Sequence, residues 1–165
     1  MFSILRPYIF SLDPEVAHDL AIKSLKANFL PKSFFDVAEE EMLETKLFNQ
    51  KLPNPIGLAA GFDKSAEVYN SLFKFGFGFI EVGTLTPVAQ PGNPKPRMFR
   101  LPKDNGLINR MGFNNDGVDA AVERLKKRKT NIVIGGNIGK NTGTEADKTD
   151  EDYIKVFNQL FDYVD

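Results

Sequence analysis

From Ile56 onward, short apolar runs alternate with longer amphipathic ones, and this alternation limits the fold more than any other feature of the chain. Residues 56–60, 79–85 and 132–138 read as strands, and residues 65–75, 115–127 and 150–164 as helices. Strands separated by helices cannot pair through tight hairpins, so they are expected to lie parallel with the helices packed over them. Three βα units result, which is small for an open sheet. The closing stretch FNQLFDYVD has no capping glycine and no closing element, so the chain is expected to be the first part of a larger fold.

Upstream, LDPEVAHDLAIKSLKANF carries a helix start, with Asp13 as N-cap, Pro14 in the first helical position and Glu15 complementing the positive helix end. Ala17, Leu20, Ala21 and Leu25 follow helical spacing, His18, Ile22 and Phe29 widen that side, and Pro31 is expected to end the helix. With the apolar start MFSILRPYIF this makes a small helical unit with a broad apolar face. Such a face ordinarily packs on a core, but it could also rest on a membrane surface. No run approaches the roughly twenty apolar residues of a membrane span. Residues 32–43 read as a polar linker, and TKLFNQKLPNP as a short hairpin or edge strand closed by Pro53 and Pro55.

Composition narrows the chemistry. The sequence has no cysteine and a single histidine, so no thiolate or histidine-based metal centre is expected. A net charge of −1 supplies no electrostatic footprint for a nucleic-acid partner. Two phosphate motifs nearly occur and both fail. GGNIGKN has Ile134 where a P-loop needs glycine and Asn141 where it needs serine or threonine, and GFGFIE has Glu81 in place of the third glycine of a dinucleotide fingerprint.

What remains is a cluster at the end of each strand: AAGFDK, EVGTLTP and GNIGKN. In proteins built from βα units the C-terminal strand ends form the functional face. Glycines there admit a ligand close to the backbone, while Lys64 offers a charge, Thr84 a hydroxyl and Asn137 an amide. The connection over residues 87–115 is too long to be a simple link, and its NRMGFNN segment suits a small anionic ligand with amide edges. A non-catalytic α/β ligand-binding module and a membrane-surface adaptor built on the N-terminal helices are the alternatives to an enzyme.

NPIGLAAGFDK, GFGFIEVGTLTPVAQPGNPKPRMFRL, GLINRMGFNN and GNIGKN, in this order and spacing, resemble the N-terminal half of a dihydroorotate dehydrogenase. The LDPEVAHDLA helix resembles the extension of the membrane-associated, quinone-reducing class, and Arg110 and Phe113 stand where the soluble classes typically carry serine and leucine. The resemblance spans about residues 12–140.

It implies an α/β fold, a (β/α)₈ barrel of which only the first three βα units are present, preceded by a small helical extension. Residues 1–38 would be the membrane and quinone-site extension, and residues 39–165 the first part of the FMN-binding barrel. The implied enzyme oxidises dihydroorotate to orotate in pyrimidine synthesis and passes the electrons to ubiquinone, as a peripheral protein on the cytoplasmic face of a bacterial membrane. By matching motif positions, Ala60, Gly61, Phe62, Asp63, Lys64, Thr84 and Asn137 would contact FMN. Lys64, Asn109, Arg110, Met111, Gly112 and Phe113 would contact the substrate, and His18 and Arg100 would line the quinone tunnel. The family's catalytic base, a serine after the fourth strand, is expected beyond Asp165. The 165 residues are therefore expected to carry half an active site and to be inactive by themselves.

Overall fold

The computed structural model describes residues 2–28 and 40–165. Two helices open it, α1 (Phe2–Ser11) and α2 (Pro14–Ala27). Asp13 caps α2 as its position predicts, its carboxylate accepting from the Glu15 amide at 2.8 Å and the Val16 amide at 3.2 Å. The helix stops before Pro31. Asn28 turns left-handed and its amide donates to the Leu25 carbonyl, a closure that asparagine tolerates. Phe29, Pro31 and the boundary expected near residue 38 lie outside the described residues.

The TKLFNQKLPNP stretch forms a hairpin, β1 (Thr45–Leu47) antiparallel to β2 (Gln50–Leu52). The parallel sheet begins with β3 (Gly57–Leu58), which α3 (Tyr69–Leu72) connects to β4 (Phe79–Leu85). A second antiparallel hairpin, β5 (Met98–Leu101) with β6 (Gly106–Asn109), leaves the sheet before α4 (Val118–Leu125). Then β7 (Val133–Ile138) pairs with β4, and α5 (Thr149–Leu160) follows it. The strand order β3-β4-β7 follows the chain, which is how a (β/α) barrel opens.

Strand alternation sorts the residues by face. Ile80, Val82 and Ile134, each fully buried, meet Val68, Tyr69, Leu72, Val118, Ala121 and Leu125 of the helical layer. Burying each of the valine, leucine and isoleucine side chains among them contributes about 1.5–3 kcal/mol. Ile22 and Leu25 of α2 join the same cluster, so the helical unit packs on the barrel core. Glu81, Gly83, Gly135 and Asn137 alternate to the opposite face of the sheet.

Two helices differ from the sequence expectation for local reasons. The helix expected over 65–75 is shortened because Ala66 sits at φ +55°, where no right-handed helix can pass. The last helix ends at Leu160, and the chain turns so that the Asp165 amide donates to Ile134 O at 2.9 Å beside β7. Among the described residues no helix is long and apolar enough to cross a membrane.

Candidate functional site

The C-terminal ends of β3, β4 and β7 meet the 109–113 segment around a cavity of about 730 Å³. Gly83 makes the convergence possible. It sits at the irregularity in the β4–β7 pairing with φ +107°, where a Cβ would stand 2.5 Å from Asn137 O. The close approach joins two side chains. Thr84 Oγ1 donates to Asn137 Oδ1 at 2.5 Å, and Asn137 Nδ2 donates to Glu81 Oε1 at 2.8 Å. Backbone bonds tie in the end of β3, from Gly61 N to Gly83 O at 2.8 Å and from Gly83 N to Asp63 O at 3.0 Å.

Most of the residues singled out in the sequence line this cavity. Ala60, Gly61 and Lys64 come from the end of β3, and Thr84 and Asn137 from β4 and β7. Asn109, Arg110, Met111, Gly112 and Phe113 form the facing wall, and His18 reaches it from α2. Phe62 and Asp63 do not line it. The Phe62 ring lies edge-on to His18 with centroids 5.2 Å apart. The Asp63 carboxylate turns into the protein and accepts from the amides of Glu67 at 2.6 Å and Val68 at 2.9 Å. Burial pushes that carboxyl above the usual range, against the opposing effect of those amides.

The adjacent charged pair of the sequence is thus divided: Asp63 braces the loop from within while Lys64 faces the cavity. Lys64 Nζ lies 3.3 Å from His18 Nε2, a hydrogen bond when that nitrogen carries its lone pair. Burial lowers the pKa of both groups; the Lys64 charge lowers that of His18 further, whereas Glu15 and Asp19 partly offset the effect on Lys64, so the imidazole is pushed toward its neutral form.

A second cavity, of about 550 Å³, lies between α1, α2 and the β5–β6 hairpin. Arg6, Phe10, Pro14, Arg100, Leu101 and Leu107 contribute to it, and His18 and Met98 line both cavities. Arg100 fastens the helical unit to the hairpin. Its Nη1 donates to Leu12 O at 2.6 Å and Phe10 O at 3.1 Å, and its guanidinium stands 4.8 Å from the Phe10 ring centroid.

Sequence reasoning missed the β5–β6 hairpin and with it Met98, Asn93 and Arg97. The signal was present. Pro102 to Asn105 form a four-residue hairpin loop between apolar runs, closed by Asn105 in the left-handed conformation before Gly106 pairs with Leu101. Alternation along β5 then places Met98 and Arg100 on the cavity side. Among the described residues no cluster of three or more metal-ligating side chains occurs.

Comparison with known proteins adds an independent finding. The dihydroorotate dehydrogenase family model matches residues 42–165. A dihydroorotate dehydrogenase (quinone) of Christiangramia forsetii is 52% identical over 98% of this chain and 49% of its own length. One from Coxiella burnetii is 49% identical over 100% of this chain and 48% of its own length. A crystal structure of DHODH from Eimeria tenella in complex with ferulenol superposes with a TM-score of 0.84 at 40% identity, over 93% of this chain and 42% of that one. The chain spans about half the length of the curated relatives it matches.

Proposed function

The chain belongs to the dihydroorotate dehydrogenase family, and from that premise we propose that it forms the cofactor-facing and quinone-facing half of an enzyme oxidising dihydroorotate to orotate in pyrimidine synthesis. Ubiquinone is the electron acceptor in this reading. The observation that carries it is the shared wall: His18 and Met98 belong to both the strand-end cavity and the cavity under the helical unit. An enzyme that moves electrons between a polar acid and an apolar quinone needs two such chambers on one reducible group. The first holds Lys64, Arg110, Asn109 and Asn137, and the second Phe10, Leu101 and Leu107.

The residues of the first cavity fit FMN. Gly61 leaves its backbone open, since a Cβ there would meet no heavy atom within 4 Å, and Thr84 and Asn137 bring a hydroxyl and an amide. When bound there, FMN would supply the two-electron redox chemistry that links dihydroorotate to the quinone. Ala60, Gly61, Thr84 and Asn137 would hold the ring, and the Lys64 ammonium would oppose negative charge developing beside it. Asp63 keeps Lys64 in place by binding the amides behind it, and Phe62 supports the His18 ring. Asn109, Arg110 and the backbone around Met111, Gly112 and Phe113 would recognise the carboxylate and carbonyls of the substrate.

Residues 1–38 would serve as the helical extension and residues 39–165 as the opening of the barrel. Exposed Leu5, Tyr8, Ile9 and Phe10 of α1, with Leu12 just after it, offer an apolar surface for a peripheral contact with the cytoplasmic face of a bacterial membrane.

The test uses the full-length enzyme and separates its half-reactions by stopped flow. His18→Ala and Arg100→Ala should slow reoxidation of the flavin by quinone about tenfold or more while leaving its reduction by dihydroorotate nearly intact. Equal losses in both half-reactions would contradict the two-chamber reading.

A further inference from the structure

Glu15 and Arg97 stand 82 positions apart and are both nearly inaccessible, at 7% and 5% exposure. The first-turn carboxylate of a helix on a protein surface usually faces water. This one is enclosed and receives both Arg97 Nε at 3.1 Å and Arg97 Nη2 at 2.5 Å, a two-point pairing. Lys95 Nζ, itself exposed, adds a contact at 3.3 Å. The remaining arm of Arg97, Nη1, donates to Pro91 O at 2.6 Å, Asn93 O at 2.9 Å and Met111 O at 3.4 Å. The guanidinium is thereby committed on every side.

Backbone bonds from Arg97 and Asn93 hold the same segment, because Arg110 N donates to Arg97 O at 2.8 Å and Asn93 N to Met111 O at 3.0 Å. Gly92 leaves the room this needs: a Cβ there would stand 2.2 Å from Met111 O and 2.8 Å from Arg97 Nη1. On the other side of the pair, Glu15 lies three residues before His18 and so on the same helical face. One buried ion pair therefore links the helix that brings His18 to the cavity with the segment that brings Arg110 and Met111.

We infer that Glu15 and Arg97 are positioning residues that fix the quinone-side helix and the substrate-side segment relative to each other. The inference rests on the proposed function for its catalytic consequence, but not for its structural one. A buried pair of this kind adds little net stability compared with apolar residues of similar volume, whereas breaking it strands a charge. Its distinctive effect is to fix geometry.

The experiment compares the full-length, flavin-loaded enzyme with Glu15→Gln, Arg97→Lys and the double variant Glu15→Met/Arg97→Met. Amide hydrogen exchange is followed at residues 109–113, at α2, and at β4 and β7 as a reference. In every variant that folds, exchange at 109–113 and in the first turn of α2 should quicken about tenfold while β4 and β7 stay unchanged. The KM for quinone should rise several-fold with flavin content unaltered. The apolar double variant keeps burial without charge and so guards against the single variants failing to fold. Wild-type exchange at 109–113 in that double variant, or a uniform quickening that includes β4 and β7, would overturn the inference. Absence of dihydroorotate–quinone turnover in the wild-type enzyme would instead refute the functional reading, leaving the exchange pattern still decisive for the pair.

Discussion

Gly61→Ala in the full-length enzyme sets a methyl group beside the strand-end cavity on a backbone at φ +100°. The structure divides its cost into two parts. No heavy atom lies within 4 Å of the added Cβ, so the fold suffers no collision. It pays only the conformational penalty of an L residue at positive φ, about 1–2 kcal/mol. In a protein of a few hundred residues that lowers the Tm of the flavin-free enzyme by only a few degrees. Flavin binding should suffer separately, since a methyl group forced against a packed surface costs about 1–3 kcal/mol. At about 1.4 kcal/mol per tenfold, this weakens the flavin Kd by roughly 5–150-fold. Flavin fluorescence titration of the apoenzyme and a thermal melt of the same preparation measure the two parts. Gly83→Ala is the contrasting case, because its Cβ would meet Asn137 O at 2.5 Å and both quantities should fall. An unchanged flavin Kd in Gly61→Ala, alongside the expected loss of Tm, would refute the assignment of this backbone to the cofactor.

Lys64→Ala should slow flavin reduction by dihydroorotate at least a hundredfold while changing stability by less than about 1 kcal/mol, because burial already disfavours the ammonium and only a 3.3 Å contact with His18 is lost. Stopped-flow bleaching at an unchanged rate would remove Lys64 from the mechanism. Acid should destabilise the fold in two stages. Burial and the Lys64 charge hold the folded-state pKa of His18 below the ordinary histidine value of 6.5, so below that pH the unfolded chain takes up a proton that the fold resists, and stability falls. Glu15 follows the same sign at lower pH, its stabilisation being present above 4.5 and lost as pH falls through its depressed folded value. Asp63 runs the other way, since its raised pKa lets the fold take up a proton before the unfolded chain does. Denaturation curves between pH 7 and pH 5 should be flatter for His18→Gln than for the wild type, and coincident slopes would show that His18 is not held neutral.

The parallel α/β framework, the cap of α2 and the clusters at the strand ends are all legible in the residues. Strand 79–85 falls where its pattern puts it, and Lys64, Thr84 and Asn137 come together at the cavity because C-terminal strand ends share one side of a parallel sheet. These features are legible because periodicity, capping and turn chemistry are interactions between near neighbours in the chain. The β5–β6 hairpin, missed in the sequence, carries an equally local signal in its Pro102 to Asn105 loop. Long-range packing sets what local patterns do not, turning Asp63 inward and Lys64 toward the cavity. The same packing brings His18 to 3.3 Å from a lysine 46 positions away and buries Glu15 against Arg97 instead of leaving it exposed at a helix end. Such pairings depend on how α2 packs across the barrel opening, and that packing is set by apolar surfaces such as Ile22 and Leu25, which select a face but name no polar partner.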